Sequence, residues 1–407
     1  MEVESRLPNI ICLATYFKGV DFIRECKNQG CHVVLITKEK MLQEDWPRDS
    51  LDDLFAVPND APPELFIDLV CHLAKQMRVD RVVALEEFDV ITAGLIREHL
   101  SLPGMSSSGA RIFRDKLSMS VKARAAGINA PDFVPLINDD EVHEFMERVP
   151  TPWVIKPRSD VSAIGIRKAQ DPSEVWRTID ELNARERLRE RASYYLLARY
   201  VPGEVFHVDS VVNNGRVLFA GANQYGRPPM DVAHGGGAYV SRTIPHGSED
   251  QKSLFEINQR LVKALGLQKG ATHAEFIKSS ADGRFYFLEI AARVGGAYIA
   301  EVLEAASGIN LWREWAKVEI AGEVSARPIK PLRKEYAGII LSLARQEHPD
   351  TSAYDDPEIV YRVKKRHHAG LIVRSTRHER VSELLDDYAR RFADDFIAVV
   401  PPLERPE

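Results

Sequence analysis

Two carboxylates, Glu275 and Glu289, flank a sharp turn in the stretch THAEFIKSSADGRFYFLE. Asp282-Gly283 marks the turn, with Glu275 seven residues before Asp282 and Glu289 six after Gly283. Alternation along two antiparallel strands then puts both acids on one face, opposite each other or one step apart. Like charges paired across strands repel unless something offsets them. A divalent cation does so. Hard carboxylate oxygens at a strand end suit Mg2+, which usually takes one or two carboxylates together with phosphate oxygens of a substrate. The competing reading is two exposed acids on a surface hairpin, and the neighbours Phe276, Ile277, Phe287 and Ile290 argue that the hairpin is not peripheral.

Phosphate chemistry has further candidates upstream. Lys156 ends the strand-like run WVIK before Pro157, and Lys116 lies on a helix some forty residues earlier. A lysine ending a buried strand beside a polar loop serves as a point charge on phosphate, although most lysines are simply solvated. The loop RSDVSAIG that follows Lys156 can close over phosphates with backbone N–H groups and with Ser159 or Ser162. The chain contains no GxxxxGK[ST] loop.

These residues need elements to position them. The first hundred residues alternate strand and helix: NIICLAT, then YFKGVDFIRECKNQG ending at Gly30, then CHVVLIT, then the helix PPELFIDLVCHLAKQMRVD, then RVVALE. Units of this length imply a parallel sheet with helices on both faces. The turn after the first strand lacks GxGxxG, so the lobe has the shape of a dinucleotide-binding unit without its fingerprint. LPGMSSSGA, residues 102–110, reads as a joint. A basic helix follows up to Gly127, then strand–loop–strand around Lys156, and a surface helix capped by Asp171 or Ser173. Next come a strand, a hairpin around NNG and a long loop, GANQYGRPPMDVAHGGGAYVSRTIP. The helix SEDQKSLFEINQRLVKALGL, the Glu275–Glu289 hairpin and the helical stretch AYIAEVLEAASGINLWREWAKVEIAGE complete this region, and the last eighty residues alternate strands with one helix.

The 407 residues exceed one compact domain. A net charge of -6 advertises neither nucleic acid nor an anionic membrane as a partner. The basic run RVKKRHH is explained by a solvated strand end at least as well as by a ligand. The four cysteines form no CxxC pair, Cys12 and Cys31 fall in apolar runs, and a reduced, cytoplasmic chain is expected. No apolar run approaches membrane-spanning length.

In their order, DKLSMSVKARAAGINAPDF, the strand–Lys–Pro–loop, RYVPGE, HAEF and LEIAARVGG resemble the ATP-grasp enzymes, in the carboxylate–amine ligase branch that includes L-amino acid ligases. The resemblance covers nearly the whole chain. It implies an α/β and α+β architecture: an N-terminal parallel α/β domain (1–110), an ATP-grasp domain (111–320, with lobes of about 111–197 and 198–320) and a small C-terminal α+β lobe (321–407). Carried over by position, Lys116 and Lys156 match the lysines on the ATP phosphates. Arg199, Tyr200 and Val201 match the adenine hinge. Glu275 and Glu289 match the Mg2+ ligands, with Mn2+ able to substitute. Arg293 matches the arginine that faces the γ-phosphate and the acyl phosphate. Departures are present. Ala291 stands where the family has a further Asn ligand. Only Gly165 remains of a glycine-rich phosphate loop, where Ser162 is the candidate contact. Val205 stands where a glutamate usually holds the ribose, leaving Glu204, His207 or Asp209 as substitutes.

The implied reaction joins a small-molecule carboxylate to an amine through an acyl phosphate, releasing ADP and phosphate. A carboxylase-like or formate-activating relative is one alternative, and a non-catalytic nucleotide binder another. The stretch YGRPPMDVAHGGGAYVSR has the composition of a lid, with His234 and Arg242 as candidates for the substrate carboxylate. ALEEFDV places Glu86 and Glu87 just after a strand, where an acid can hold an amino group, and a favourable helix N-terminus explains them equally well. Family members often dimerise, so a homodimer is an expected assembly, although no interface signature is visible.

Overall fold

The computed structural model describes residues 6–159, 165–321 and 328–398, and the backbone alone of residues 233–235. The N-terminal strands β1 (Asn9–Leu13), β2 (His32–Lys38), β3 (Asp53–Val57) and β4 (Arg81–Ala84) form a parallel sheet in the order β3-β2-β1-β4. Ile11, Leu13, Val34 and Ile36 pack one face against helices Pro63–Ala74 and Val90–His99. Ile10, Cys12, Val33 and Leu35 join a core that also holds Leu303, Leu311 and Trp315 from far along the chain. Phe22 meets Trp315 edge-on, ring centroids 5.1 Å apart. This shared core docks the N-terminal sheet against the rest of the molecule and sets where the carboxyl ends of its strands point.

A second sheet, antiparallel, contains β5 (Phe133–Pro135), β6 (Trp153–Pro157), β7 (Arg167–Ala169) and β8 (Tyr195–Arg199) in the order β5-β8-β6-β7. The third holds β9 (Gly203–Asn213), β10 (Arg216–Tyr225), β11 (Tyr239–Thr243), β12 (Lys269–Ser279), β13 (Phe285–Ala291), β14 (Tyr336–Leu343), β15 (Ile359–Arg362) and β16 (His368–Ser375). Its order is β13-β12-β9-β10-β11-β14-β16-β15, so hydrogen bonding continues unbroken into the C-terminal strands. The β9–β10 turn puts Asn214 and Gly215 at φ 51° and 69°, the left-handed pair expected of NNG. Helix Glu249–Leu265 starts at Ser248, whose hydroxyl accepts from the Gln251 N–H, and stops at Gly266 with φ 79°.

Three stretches differ from the sequence reading. The expected long loop is mostly regular: β10 runs to Tyr225, a short helix spans Pro229–Gly235, and β11 follows. The basic helix is two, Ser107–Ile112 and Lys116–Ala125, the first capped by Ser106 inside the expected joint. The stretch after Gly296 divides into Ile299–Ser307 and Leu311–Ala321, broken at Gly308, where φ is 77°. The surface helix is capped by Asp171, which accepts from the Glu174 N–H. Among the described residues no helix is long and apolar enough to cross a membrane.

Candidate active site

A cavity of about 470 Å³ lies between the second and third sheets. Its floor is one face of the third sheet. Val205 on β9, Tyr225 on β10, Tyr239 on β11, His273, Glu275 and Ile277 on β12, and Glu289 and Ala291 on β13 all face it. On β9 and β12 alternation turns the neighbours to the other side, whereas beside the irregularity in β13 Leu288 and Ile290 line the cavity as well.

Glu275 and Glu289 are direct partners across β12 and β13. A β-bulge achieves this: Phe276 pairs with Phe287, so an uninterrupted ladder would set Glu275 opposite Leu288, and one extra residue in β13 realigns the acids. Their repulsion is offset by side chains. Lys116 Nζ lies 2.7 Å from Glu289 Oε2, and His273 Nε2 lies 3.4 Å from Glu275 Oε1, which also accepts from the Tyr225 hydroxyl at 2.6 Å. Burial pushes the Glu275 carboxyl up, but His273, Tyr225 and His207 together hold it below its ordinary range. Two carboxylates in register offer the hard oxygen donors that suit a divalent cation.

Both lysines are placed by one clamp. Asp115 caps the helix Lys116–Ala125 by accepting from the Leu117 N–H. It also takes a forked pair from Arg158, two residues beyond Lys156, with Arg158 Nε at 3.0 Å from Asp115 Oδ1. Lys116 N–H in turn donates to Arg158 O at 2.8 Å. Lys116 and Lys156 therefore line the same cavity from different elements. Burial and the nearby Lys116 charge pull the Lys156 ammonium down to about 8, against the opposing pull of Glu289 and Glu275.

Hinge residues Arg199, Tyr200 and Val201 line the cavity where the chain passes from β8 to β9. The N–H groups of Arg199 and Tyr200 already donate to Asp132 O at 2.8 Å and Pro152 O at 3.1 Å. At the opposite end Arg293 grips Glu87 of the N-terminal lobe, with both Nε and Nη2 at 2.6 Å from Oε2. Arg114 pairs with the other oxygen of Glu87. Burial raises the Glu87 carboxyl, but Arg293 and Arg114 outweigh it and bring it to about 2. Glu86 is paired with Lys18 at 2.5 Å. Glu87 thus lines the cavity, but both its oxygens are engaged by guanidinium groups, which leaves it poorly suited to the amino-group contact read from the sequence.

Other candidates do not converge on the cavity. Asp209 is fully buried, and both its oxygens are taken by His207 and His273. Glu204 is exposed and alternates away from Val205. Arg242 lies on β11 between Ser241 and Thr243, which face the buried floor. Its side chain therefore points the other way, to Asp386 at 3.6 Å. Ser162 and the side chain of His234 lie outside the described residues. His234 belongs to the helix Pro229–Gly235, whose first residues Pro229 to Val232 line the cavity. Sequence reasoning missed Arg114, Tyr225 and His273 as cavity residues. Of these, His273 was legible, being two residues before Glu275 on one strand and so on the same face.

The cleft thus lies between two antiparallel sheets, with lysines on one wall and paired acids on the floor. Residues 149–301 match the family model of the ATP-grasp domain, so this chain carries an ATP-grasp domain. The chain is 22% identical over 274 residues to the L-arginine-specific L-amino acid ligase of Bacillus subtilis, a match covering 66% of this chain and 64% of that protein. The matches to two further curated relatives cover 50% and 30% of their lengths. Among solved structures, the L-amino acid ligase from Bacillus licheniformis superposes with a TM-score of 0.72 at 18% identity, covering 96% of this chain and 98% of that one. The biotin carboxylase domain of the Hydrogenobacter thermophilus 2-oxoglutarate carboxylase, in complex with MgADP and bicarbonate, gives 0.71 at 16% identity, covering 96% and 90%.

Proposed function

We propose that this protein is an ATP-dependent ligase that joins a carboxylate to an amine, with amino acids as the substrate class, through an acyl phosphate. The observation that carries this reading is the direct register of Glu275 with Glu289 beneath Lys116 and Lys156, in a cavity closed at one end by Arg293. The similarity to L-amino acid ligases supports the choice of substrates.

In this reading the adenine lies against Val154, Ile277 and Leu288, with Val201 as the hinge residue at the ring edge. Lys116 and Lys156 hold the phosphates. Glu275 and Glu289 would hold Mg2+, which when bound supplies Lewis-acid stabilisation of the phosphoryl oxygens. The substrate carboxylate attacks the γ-phosphorus, the bond to the β-bridging oxygen breaks, and ADP leaves. Arg293 meets the charge on the transferring group. The amine then attacks the acyl carbon, phosphate departs, and loss of a proton leaves the amide. The helix Pro229–Gly235 roofs the site, which keeps water from the acyl phosphate. We read the assembly as a homodimer and the location as cytoplasmic.

The test is ADP and phosphate release with Mg-ATP against amino acids singly and in pairs, with bicarbonate and formate as further arms. Release that needs a pair, with a product of the summed mass less water, is the expected result. Release with bicarbonate or formate alone, and with no pair, would replace the ligase reading by the carboxylase-like one.

Lys156 gives a pH signature. Its ammonium loses its proton above about pH 8, and phosphate binds the charged form better. Affinity for a non-hydrolysable ATP analogue should therefore be level below pH 8 and fall by up to about tenfold per pH unit above it, with proton uptake on binding. Calorimetry in buffers of different ionisation enthalpy measures both, and Lys156→Met should flatten the profile. A wild-type profile that is flat to pH 9.5 would remove Lys156 from the phosphates.

A further inference from the structure

Beneath the two carboxylates runs a line of buried polar groups that the proposed reaction leaves unexplained. Asp209, in the middle of β9, is 0% exposed. Its Oδ2 accepts from His207 Nδ1 at 2.6 Å and its Oδ1 from His273 Nδ1 at 2.9 Å. The other nitrogen of His207 meets Ser241 Oγ at 2.8 Å. The other nitrogen of His273 is the one that faces Glu275 Oε1. The register explains the arrangement: His273 pairs with Asp209 and Glu275 with His207 across β12 and β9, and i, i+2 spacing on each strand keeps all four on the cavity face.

The same pair carries the turn that follows β13. A Cβ placed on Gly295 would stand 2.7 Å from Asp209 Oδ1 and 3.0 Å from His273 Nδ1, so this backbone lies directly on the two side chains. The turn begins at Arg293 and leads through Gly296 and Ala297, both of which line the cavity. Nothing about sheet stability asks for a carboxylate here. An ion pair buried this deeply can usually be replaced by apolar residues of similar volume at little or no loss. A carboxylate between two imidazoles instead gives fixed directions, the way outer-shell partners orient a metal ligand.

We propose that Asp209 is a positioning residue: through His273 it orients the carboxylate of Glu275, and by seating Gly295 it sets the turn that presents Arg293. This rests on the reading of Glu275 as a metal-binding carboxylate. Asp209, which is not among the cavity-lining residues, thus acts on the reaction through His273 and the Gly295 turn.

The test uses Mn2+ as the probe, titrated by electron paramagnetic resonance into the full-length protein with a non-hydrolysable ATP analogue. Asp209→Asn keeps the shape but removes the anion and can accept from only one imidazole, so His273 no longer bears on a charged acceptor. Mn2+ affinity in the complex should fall about tenfold or more, with altered zero-field splitting, while affinity for the analogue without metal stays level. Gly295→Ala probes the contact from the other side, and reproduces the loss should Asp209→Asn fail to fold. Glu275→Gln is measured in parallel. If it weakens Mn2+ binding and a folded Asp209→Asn does not, the positioning role is overturned and the metal reading stands. If Glu275→Gln leaves Mn2+ binding unchanged, the metal reading itself fails, and the proposal with it.

Discussion

Glu289→Ala should abolish Mg-ATP turnover, by about a thousandfold or more, in a protein that still folds. The side chain is 34% exposed and pairs with Lys116, so its loss removes little packing. What it removes is half of the carboxylate pair that the β13 bulge brings into register. The effect should reach the lysines as well. The Glu289 charge, ahead of Glu275, opposes the fall of the Lys156 ammonium, which already sits at about 8. Without Glu289 that value drops, and the onset of weakened nucleotide binding moves toward neutral pH. Glu289→Gln, which preserves volume, should lose turnover to the same extent. ADP release read alongside thermal melting decides the matter: turnover at the wild-type rate in a folded variant would end the metal assignment.

The carboxylate pair was legible because its flanks are apolar. Phe276, Phe287 and Ile290 supply the buried run, and the Asp282-Gly283 turn fixes the count to within one step. The bulge that settles the step was not legible, since no residue type demands it. β11 was missed for a physical reason. Its inward residues, Ser241 and Thr243, are polar because the floor beneath the cavity is polar, so the apolar alternation that marks a strand is erased. Arg242 was drawn into the lid by the same error. β3 escaped notice because it is an edge strand on which only Val57 is buried. Its place close after the hinge makes Asp209 one of three ribose candidates, with Glu204 and His207. A register between β9 and β12, which the sequence does not state, is what turns it toward two histidines. The partnership of Glu87 with Arg293 spans 206 residues and depends on how two lobes dock, which no local pattern encodes.

That partnership shapes the expected behaviour of Arg293→Ala. In the proposed reading, ground-state binding of ATP draws on Lys116, Lys156 and the hinge, whereas Arg293 is held by Glu87. In the proposed mechanism the guanidinium acts when charge develops on the transferring phosphoryl group, where an arginine is worth about a thousandfold or more. Arg293→Ala should therefore lower kcat by about that factor and leave the Kd of the ATP analogue within about threefold of wild type. Folding should survive, because Glu87 keeps Arg114 as a partner. Glu87→Ala is the contrasting case: it strands two largely buried guanidinium groups and should cost about 3 kcal/mol of stability as well as activity. The Glu87 carboxyl sits at about 2, below its ordinary 4.5. A depressed acid contributes stability that is complete above its ordinary value and is lost as pH falls through the lowered one. The Glu87–Arg293 contact is then intact throughout the assay range, and the kcat loss in Arg293→Ala should not vary between about pH 6 and pH 8. Single-turnover phosphoryl transfer and equilibrium nucleotide binding, measured on the same preparation, separate the two effects. An Arg293→Ala protein that transfers phosphate normally once saturated, and has lost only affinity, would assign Arg293 to binding instead of to the transition state.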